Sequence, residues 1–154
     1  MTQILEQPTV RAATPASALQ QTLVELIELA LQGKQAHWNV TGPLFTPIHE
    51  QLDAFVDEYR AWYDDVAERL VALGEAADGR SATVATTANL EALPDGPLAD
   101  HVVIDAFDAR VADVAGRVAD RAAALDADLA TQDLLVEILR GLDKQRWMLR
   151  AQRA

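Results

Sequence analysis

Residues 37–53 read HWNVTGPLFTPIHEQLD, and the reading of this stretch decides the fold. Thr41-Gly42-Pro43 interrupts it, and helical periodicity runs away from the break in both directions. Upstream, Leu19, Leu23, Leu26/Ile27 and Ala30 recur at three and four residues, which predicts an amphipathic helix from Ala16 to about Asn39. Glycine followed by proline stops it. Downstream, Thr46-Pro47 predicts an N-cap with proline in the first turn. The second helix then runs to about Gly74 on Ile48, Leu52, Phe55/Val56, Tyr59, Tyr63, Val66 and Leu70. Two long helices joined by so short a break make an antiparallel hairpin.

Beyond the hairpin, residues 75–97 hold Gly79, Pro94, Gly96 and Pro97 and read as a long connection, with a short helix over Val84–Leu93. A third long helix, about Ala99–Leu125, places Val103, Phe107, Val111, Val114 and Val118 on one side. Asp126–Ala130 reads as a turn, and a fourth helix over Thr131–Arg150 carries Leu134/Leu135, Ile138/Leu139 and Leu142. Period-2 alternation is nowhere sustained, so no sheet is expected. The predicted fold class is all-α: a four-helix bundle of the ferritin-like kind, with a short extra helix in the long connection between the second and third long helices. Residues 1–14 are aperiodic and read as a flexible arm, leaving residues 15–154 as the bundle domain.

Composition narrows the function classes. The chain has 154 residues, 13 Lys+Arg against 24 Asp+Glu, a formal charge of −11 and no cysteine. One full-sized core fits that length. Without cysteine there is no disulfide framework, thiolate zinc site, iron–sulfur cluster or thiol nucleophile. No apolar run approaches the ~18–20 residues of a membrane span, and no basic-then-apolar leader opens the sequence. A soluble cytoplasmic protein is the default expectation. The charge argues against a protein built to grip phosphate backbones. It is also unevenly spread, at −7 over residues 37–79 and −5 over 80–130, against +2 over 131–154.

Candidate chemistry starts from the three histidines. His37 ends the first helix and His49 opens the second, nearly symmetric about Pro43, so the hairpin brings both rings to one level. His49 and Asp53 are four apart, Asp64 and Glu68 repeat that spacing, and the eleven residues from Asp53 to Asp64 close about three helical turns. All four therefore share one stripe. The rise separates its ends: eleven residues span ~16 Å, far beyond what one ion can bridge. A second copy of the helix, antiparallel about a two-fold axis near Glu58/Tyr59, would lay Asp64 and Glu68 against His37, His49 and Asp53 of its mate. Two imidazoles and three carboxylates suit iron or manganese. Against this stands the plainer reading of a solvated helix face and a histidine serving as a cap, and both remain open on geometry alone.

The motifs settle more than the geometry does. HWNVTG at 37–42, followed after five residues by IHEQLD at 48–53, resembles the first signature of the Dps family, the DNA-protection mini-ferritins of starved bacteria. YDDVAER at 63–69 with Leu73-Gly74 resembles the second, and LDKQRWML at 142–149 is similar to the family's last helix. The resemblance extends from about Ala16 to Arg150. It implies a homododecameric shell with two-fold interfaces that oxidises Fe(II), with hydrogen peroxide or oxygen, and stores ferric mineral (Fe2+/Fe3+ being its iron). It also implies that the ferroxidase ligands fall on His37, His49 and Asp53 of one subunit and Asp64 and Glu68 of its two-fold mate. Trp38 matches a family tryptophan near the iron, though plain hairpin packing explains it equally. Asp126, Asp128 and Asp133 resemble acids lining the family's three-fold iron-entry pores, and a solvated turn with Asp near a helix N-terminus explains them equally. Glu50 and Asp57 are candidates for the cavity wall, and His101, at a helix start, is not expected to be a ligand.

Two absences sharpen the resemblance. Lys34, Thr46 and Leu98 stand three residues before His37, His49 and His101, so no Glu-x-x-His exists and an intra-subunit ferritin di-iron site cannot form. The arm holds only Arg11 and Glu6 as charges, with none of the lysines that DNA-binding relatives use. Twelve copies at −11 each total −132, so weak or absent DNA binding is expected at neutral pH, with a cytoplasmic location that includes nucleoid association as the family's variant. Two rival readings exist. A zinc metalloprotease would read His49-Glu50-x-x-Asp53 as a degenerate His-Glu-x-x-His, but lacks the second histidine. A metal-free helical interaction protein would use the bundle alone.

Overall fold

A computed structural model of the chain describes residues 14–153. Its long elements are α1 (Pro15–Asn39), α2 (Phe45–Ala72), α4 (Asp100–Ala123) and α5 (Leu129–Arg150), with a short α3 (Ser81–Thr87) in the connection between α2 and α4. The expected four-helix bundle with its extra helix is the observed architecture. The core contains periodic residues read from the sequence: Leu19, Leu23 and Leu26 of α1, Leu52, Phe55, Val56 and Tyr59 of α2, Val103, Phe107, Val111 and Val114 of α4, and Leu135, Ile138 and Leu142 of α5; Leu29, Ile104 and Leu149 join them. Tyr63 is half-buried instead, at the edge of the packed face. A polar link joins α2 to α5 within the core, where the Tyr59 hydroxyl donates to Gln145 Oε1 at 2.6 Å. Close helix approach relies on small residues. A Cβ on Gly33 would lie 2.5 Å from Val56, and one on Gly141 would lie 2.2 Å from Trp62.

The local start and stop signals differ from expectation in four places. Residues 1–13 of the expected arm lie outside the described residues, but Thr14 belongs to α1: its hydroxyl accepts from the Ser17 amide at 3.1 Å, and the Ser17 hydroxyl takes the Thr14 amide at 3.0 Å. Thr46 is not an N-cap, because α2 begins at Phe45 with Leu44 in the capping position. The amide of Leu44 itself donates to Asp100 Oδ2, 2.7 Å away. The short helix sits earlier than Val84–Leu93; Asn89 adopts a left-handed φ of 51° that ends helical continuation. A small sheet also forms, a two-residue parallel pair in which Val40 faces Leu98 and Thr41 faces Ala99. Pairs this short leave no period-2 pattern to read.

That pair positions the site. β1 (Val40–Thr41) lies at the N-terminal end of α2, and β2 (Leu98–Ala99) at the N-terminal end of α4. The connection after α2 must therefore return along the whole helix, about 42 Å for 28 residues, before α4 can begin. This is the long crossover of a ferritin-like bundle.

Candidate metal centre

The turn between α1 and α2 is built from distant parts of the chain. Gly42 has φ 122°, which disfavours any residue with a Cβ, and a Cβ there would stand 2.7 Å from Asp100 Oδ2. Asp100 Oδ1 also accepts the His101 amide at 2.7 Å. The amide bonds from Leu44 and His101 hold the Asp100 carboxyl below the usual carboxylate range. His101 itself is exposed and takes no part in the site.

With the turn fixed, His37 and His49 stack, their ring centroids 3.6 Å apart and their planes 17° from parallel. Each ring is tied to the other's backbone. His37 Nδ1 lies 2.7 Å from the His49 carbonyl, and His49 Nδ1 lies 2.8 Å from the His37 carbonyl. A carbonyl oxygen only accepts, so both Nδ1 atoms carry hydrogen, and a neutral ring presents its lone pair at Nε2. Orientation of a metal-binding imidazole by an Nδ1–H···O=C bond is the usual supporting arrangement of metal sites. Here one turn supplies it twice, reciprocally. Phe45 closes the outer side of His49 at 5.0 Å between centroids.

Asp53 joins this pair, with Oδ1 3.4 Å from His37 Nδ1. The same oxygen takes a 2.5 Å hydrogen bond from Lys34 Nζ, which holds the Asp53 carboxyl below its ordinary range. Lys34 is the residue that the sequence reading passed over, noticed only for not being glutamate. The signal was available: three residues before His37, it occupies the same helix face.

Asp64 and Glu68 lie farther along the unbroken α2, exposed, with Asp64 directly after Tyr63 and Glu68 about one turn beyond it. Within one chain they do not reach the histidines, and among the described residues no cluster of three or more His, Cys, Asp or Glu could hold a metal ion alone. Between the two ends an open groove of about 580 Å3 is lined by Ile27, Leu31, Lys34, Trp38 and Tyr63. Leu31 and Trp38 are 58% and 68% exposed, so Trp38 does not pack the hairpin of its own chain.

The whole described chain resembles known proteins. Residues 16–154 match the family model described as a ferritin-like domain. A DNA protection during starvation protein of Agrobacterium fabrum is 38% identical over 148 residues, covering 94% of this chain and 90% of the relative. DNA protection during starvation protein 2 of Deinococcus radiodurans is 39% identical over 135 residues, covering 87% of this chain, which spans only 56% of that relative's length. This chain belongs to the Dps family of ferritin-like proteins. The solved structure of Dps from Microbacterium arborescens in the high-iron form superimposes with a TM-score of 0.86 at 37% identity, covering 97% of this chain and 98% of that one.

For a Dps-family chain the acids between α4 and α5 are less available than their number suggests. Asp128 is the N-cap of α5: its carboxylate accepts from the Thr131 amide at 3.2 Å, the Thr131 hydroxyl at 2.6 Å and Arg69 Nη2 at 3.0 Å. Those bonds, the Thr131 hydroxyl foremost, hold it below the ordinary carboxylate range. Asp126 and Asp133 are exposed, and the structure gathers neither with Asp128 into a cation cluster. The degenerate protease motif finds no support either, since Glu50 lines a groove against α5 with Lys144 and Met148.

Proposed function

We propose that this Dps-family chain is a ferroxidase subunit of an iron-storing mini-ferritin, with Fe(II) as its substrate. The observation that carries the reading is the reciprocal histidine clamp. It leaves Nε2 of each ring free of its backbone tie, with the Asp53 carboxylate 3.4 Å from His37 Nδ1, while the remaining acids of the stripe stand ~16 Å down the same helix, reachable only from another chain. A second copy packed antiparallel across the exposed Leu31–Trp38 groove brings Asp64 and Glu68 to His37, His49 and Asp53, and symmetry makes two such sites per pair. The shell of twelve subunits extends this pair, as the family resemblance implies.

The chemistry follows from the ligand types. Imidazole and carboxylate bind Fe(II), and carboxylate favours the Fe(III) that forms. Two Fe(II) ions each release one electron to one hydrogen peroxide molecule. The O–O bond breaks, two protons are taken up, and two waters and two Fe(III) result. Iron and oxidant leave solution together, which protects nearby DNA without requiring that DNA be bound. Lys34 occupies the Asp53 carboxylate until iron displaces it. Asp126 and Asp133 belong, in this reading, to the route by which iron enters, with Asp128 confined to capping α5. The location expected for this activity is the cytoplasm, with nucleoid association as the family's variant.

Ferrous titration with peroxide, followed by ferric absorbance in the near ultraviolet and by native mass, tests the proposal. Fast absorbance growth in a particle of about twelve chains is the expected result. Slow growth at the rate of free iron, or a monomer that oxidises iron as fast as the assembly, contradicts it.

A further inference from the structure

We propose that the recess between α1, α3 and α4 binds a small oxyanion, a phosphate group in the first place. This lies outside the stripe of metal ligands and does not depend on it. Glu25, 3% exposed, sits between two guanidinium groups: Arg117 Nε donates to its Oε1 at 2.6 Å, and Arg121 Nη1 donates to its Oε2 at 2.6 Å. One carboxylate thus answers two cations, leaving one positive charge unbalanced at the wall of the recess, where the Arg117 side chain is 30% exposed. Asp113 and Asp120, a turn to either side of Arg117 on α4, form no ion pair with it among the described residues.

A second observation points the same way. Arg117 Nη2 is buried and is the one buried side-chain nitrogen or oxygen among the described residues with no hydrogen-bond partner. Buried donors are normally satisfied, and an orphan marks a missing partner. The Arg117 side chain lines a recess of about 370 Å3. Water would meet the N–H groups but leave the charge; an oxyanion answers both, and the planar guanidinium fork suits it. Of the other polar groups around the recess, the Thr83 hydroxyl is committed to Asp78 and the Thr87 hydroxyl to the Thr83 carbonyl. The Gln21 and Asn89 amides have no such commitments and supply neutral donors. The left-handed φ of Asn89 places that residue at the rim directly after α3.

Calorimetric titration of the iron-free, full-length protein with inorganic phosphate in chloride buffer reads the site; iron is left out because ferric ion precipitates phosphate. Saturable uptake of one phosphate per chain is expected. Arg117→Gln should weaken it by about tenfold or more, and Asn89→Ala, which leaves the Glu25 ion pairs intact, by roughly two- to fivefold. Arg140→Gln, a change on the exposed face of α5, should leave it unaltered. A parallel titration with a mononucleotide separates the sources: tighter binding than inorganic phosphate assigns a phosphate ester, weaker or equal binding the free ion. Absence of saturable binding of both probes overturns the proposal, as does binding that Arg117→Gln leaves unchanged. If Arg117→Gln fails to fold, unaltered affinity in Asn89→Ala overturns it instead.

Discussion

The two ends of α2 carry the same residue spacing and opposite degrees of preparation. At the N-terminal end, His49 and Asp53 are held by a stacked partner ring, two backbone carbonyls and an ammonium group. At the far end, Asp64 and Glu68 are exposed and make no side-chain hydrogen bonds or ion pairs among the described residues. An i,i+4 pair alone therefore does not define a site. What distinguishes the prepared end is supporting contact, and what the bare end lacks is a partner.

Removing one group from each end breaks the comparison most sharply. His37→Ala and Asp64→Ala should each lower the peroxide-dependent oxidation rate by about 100-fold or more, since each deletes a proposed metal ligand. Their stabilities should diverge. His37→Ala removes a buried, hydrogen-bonded ring and should cost about 1–3 kcal/mol in denaturant unfolding, whereas Asp64→Ala should stay within about 0.5 kcal/mol of the parent. Equal destabilisation by both would erase the distinction.

Next in size is the turn that builds the prepared end. Gly42→Ala should destabilise by about 1–3 kcal/mol through its positive φ, with further loss from the contact with Asp100, and melting should show it. The contact has a pH signature. Asp100 titrates lower folded than unfolded, so its contribution is present above the ordinary carboxylate range near pH ~4 and is lost as pH falls through the depressed folded value. The urea-midpoint gap between the parent and Asp100→Asn should accordingly shrink from pH 7 to acid. Smallest is Lys34→Met, which frees Asp53 from its ammonium and should tighten cobalt(II) binding, read by visible absorbance, by roughly 5- to 10-fold.

Much of this was legible beforehand because helices bury every third or fourth residue. Leu52, Phe55, Val56 and Tyr59 of α2 announce themselves as core, and the stripe of His49, Asp53, Asp64 and Glu68 follows from the same period. The hidden features depend on partners remote in sequence or carried by the backbone. The histidine clamp uses carbonyls that every residue possesses. At the start of α2 the Leu44 amide is held by Asp100, 56 residues away. Asp128 offered two readings, and the bonds from the Thr131 hydroxyl and Arg69 show the cap. Lys34 alone was visible and misjudged, weighed for the glutamate it replaces and not for the carboxylate it faces.

The central claim is that one metal site draws on two chains, and mixed assembly measures it directly. His37→Ala and Asp64→Ala subunits are unfolded together, refolded as a mixture, and assayed for peroxide-dependent iron oxidation. In each mixed pair one site collects both lesions and the other collects neither, so random pairing should restore about a quarter of the parent rate from two inactive components. A mixture no more active than its components would contradict a site shared between subunits.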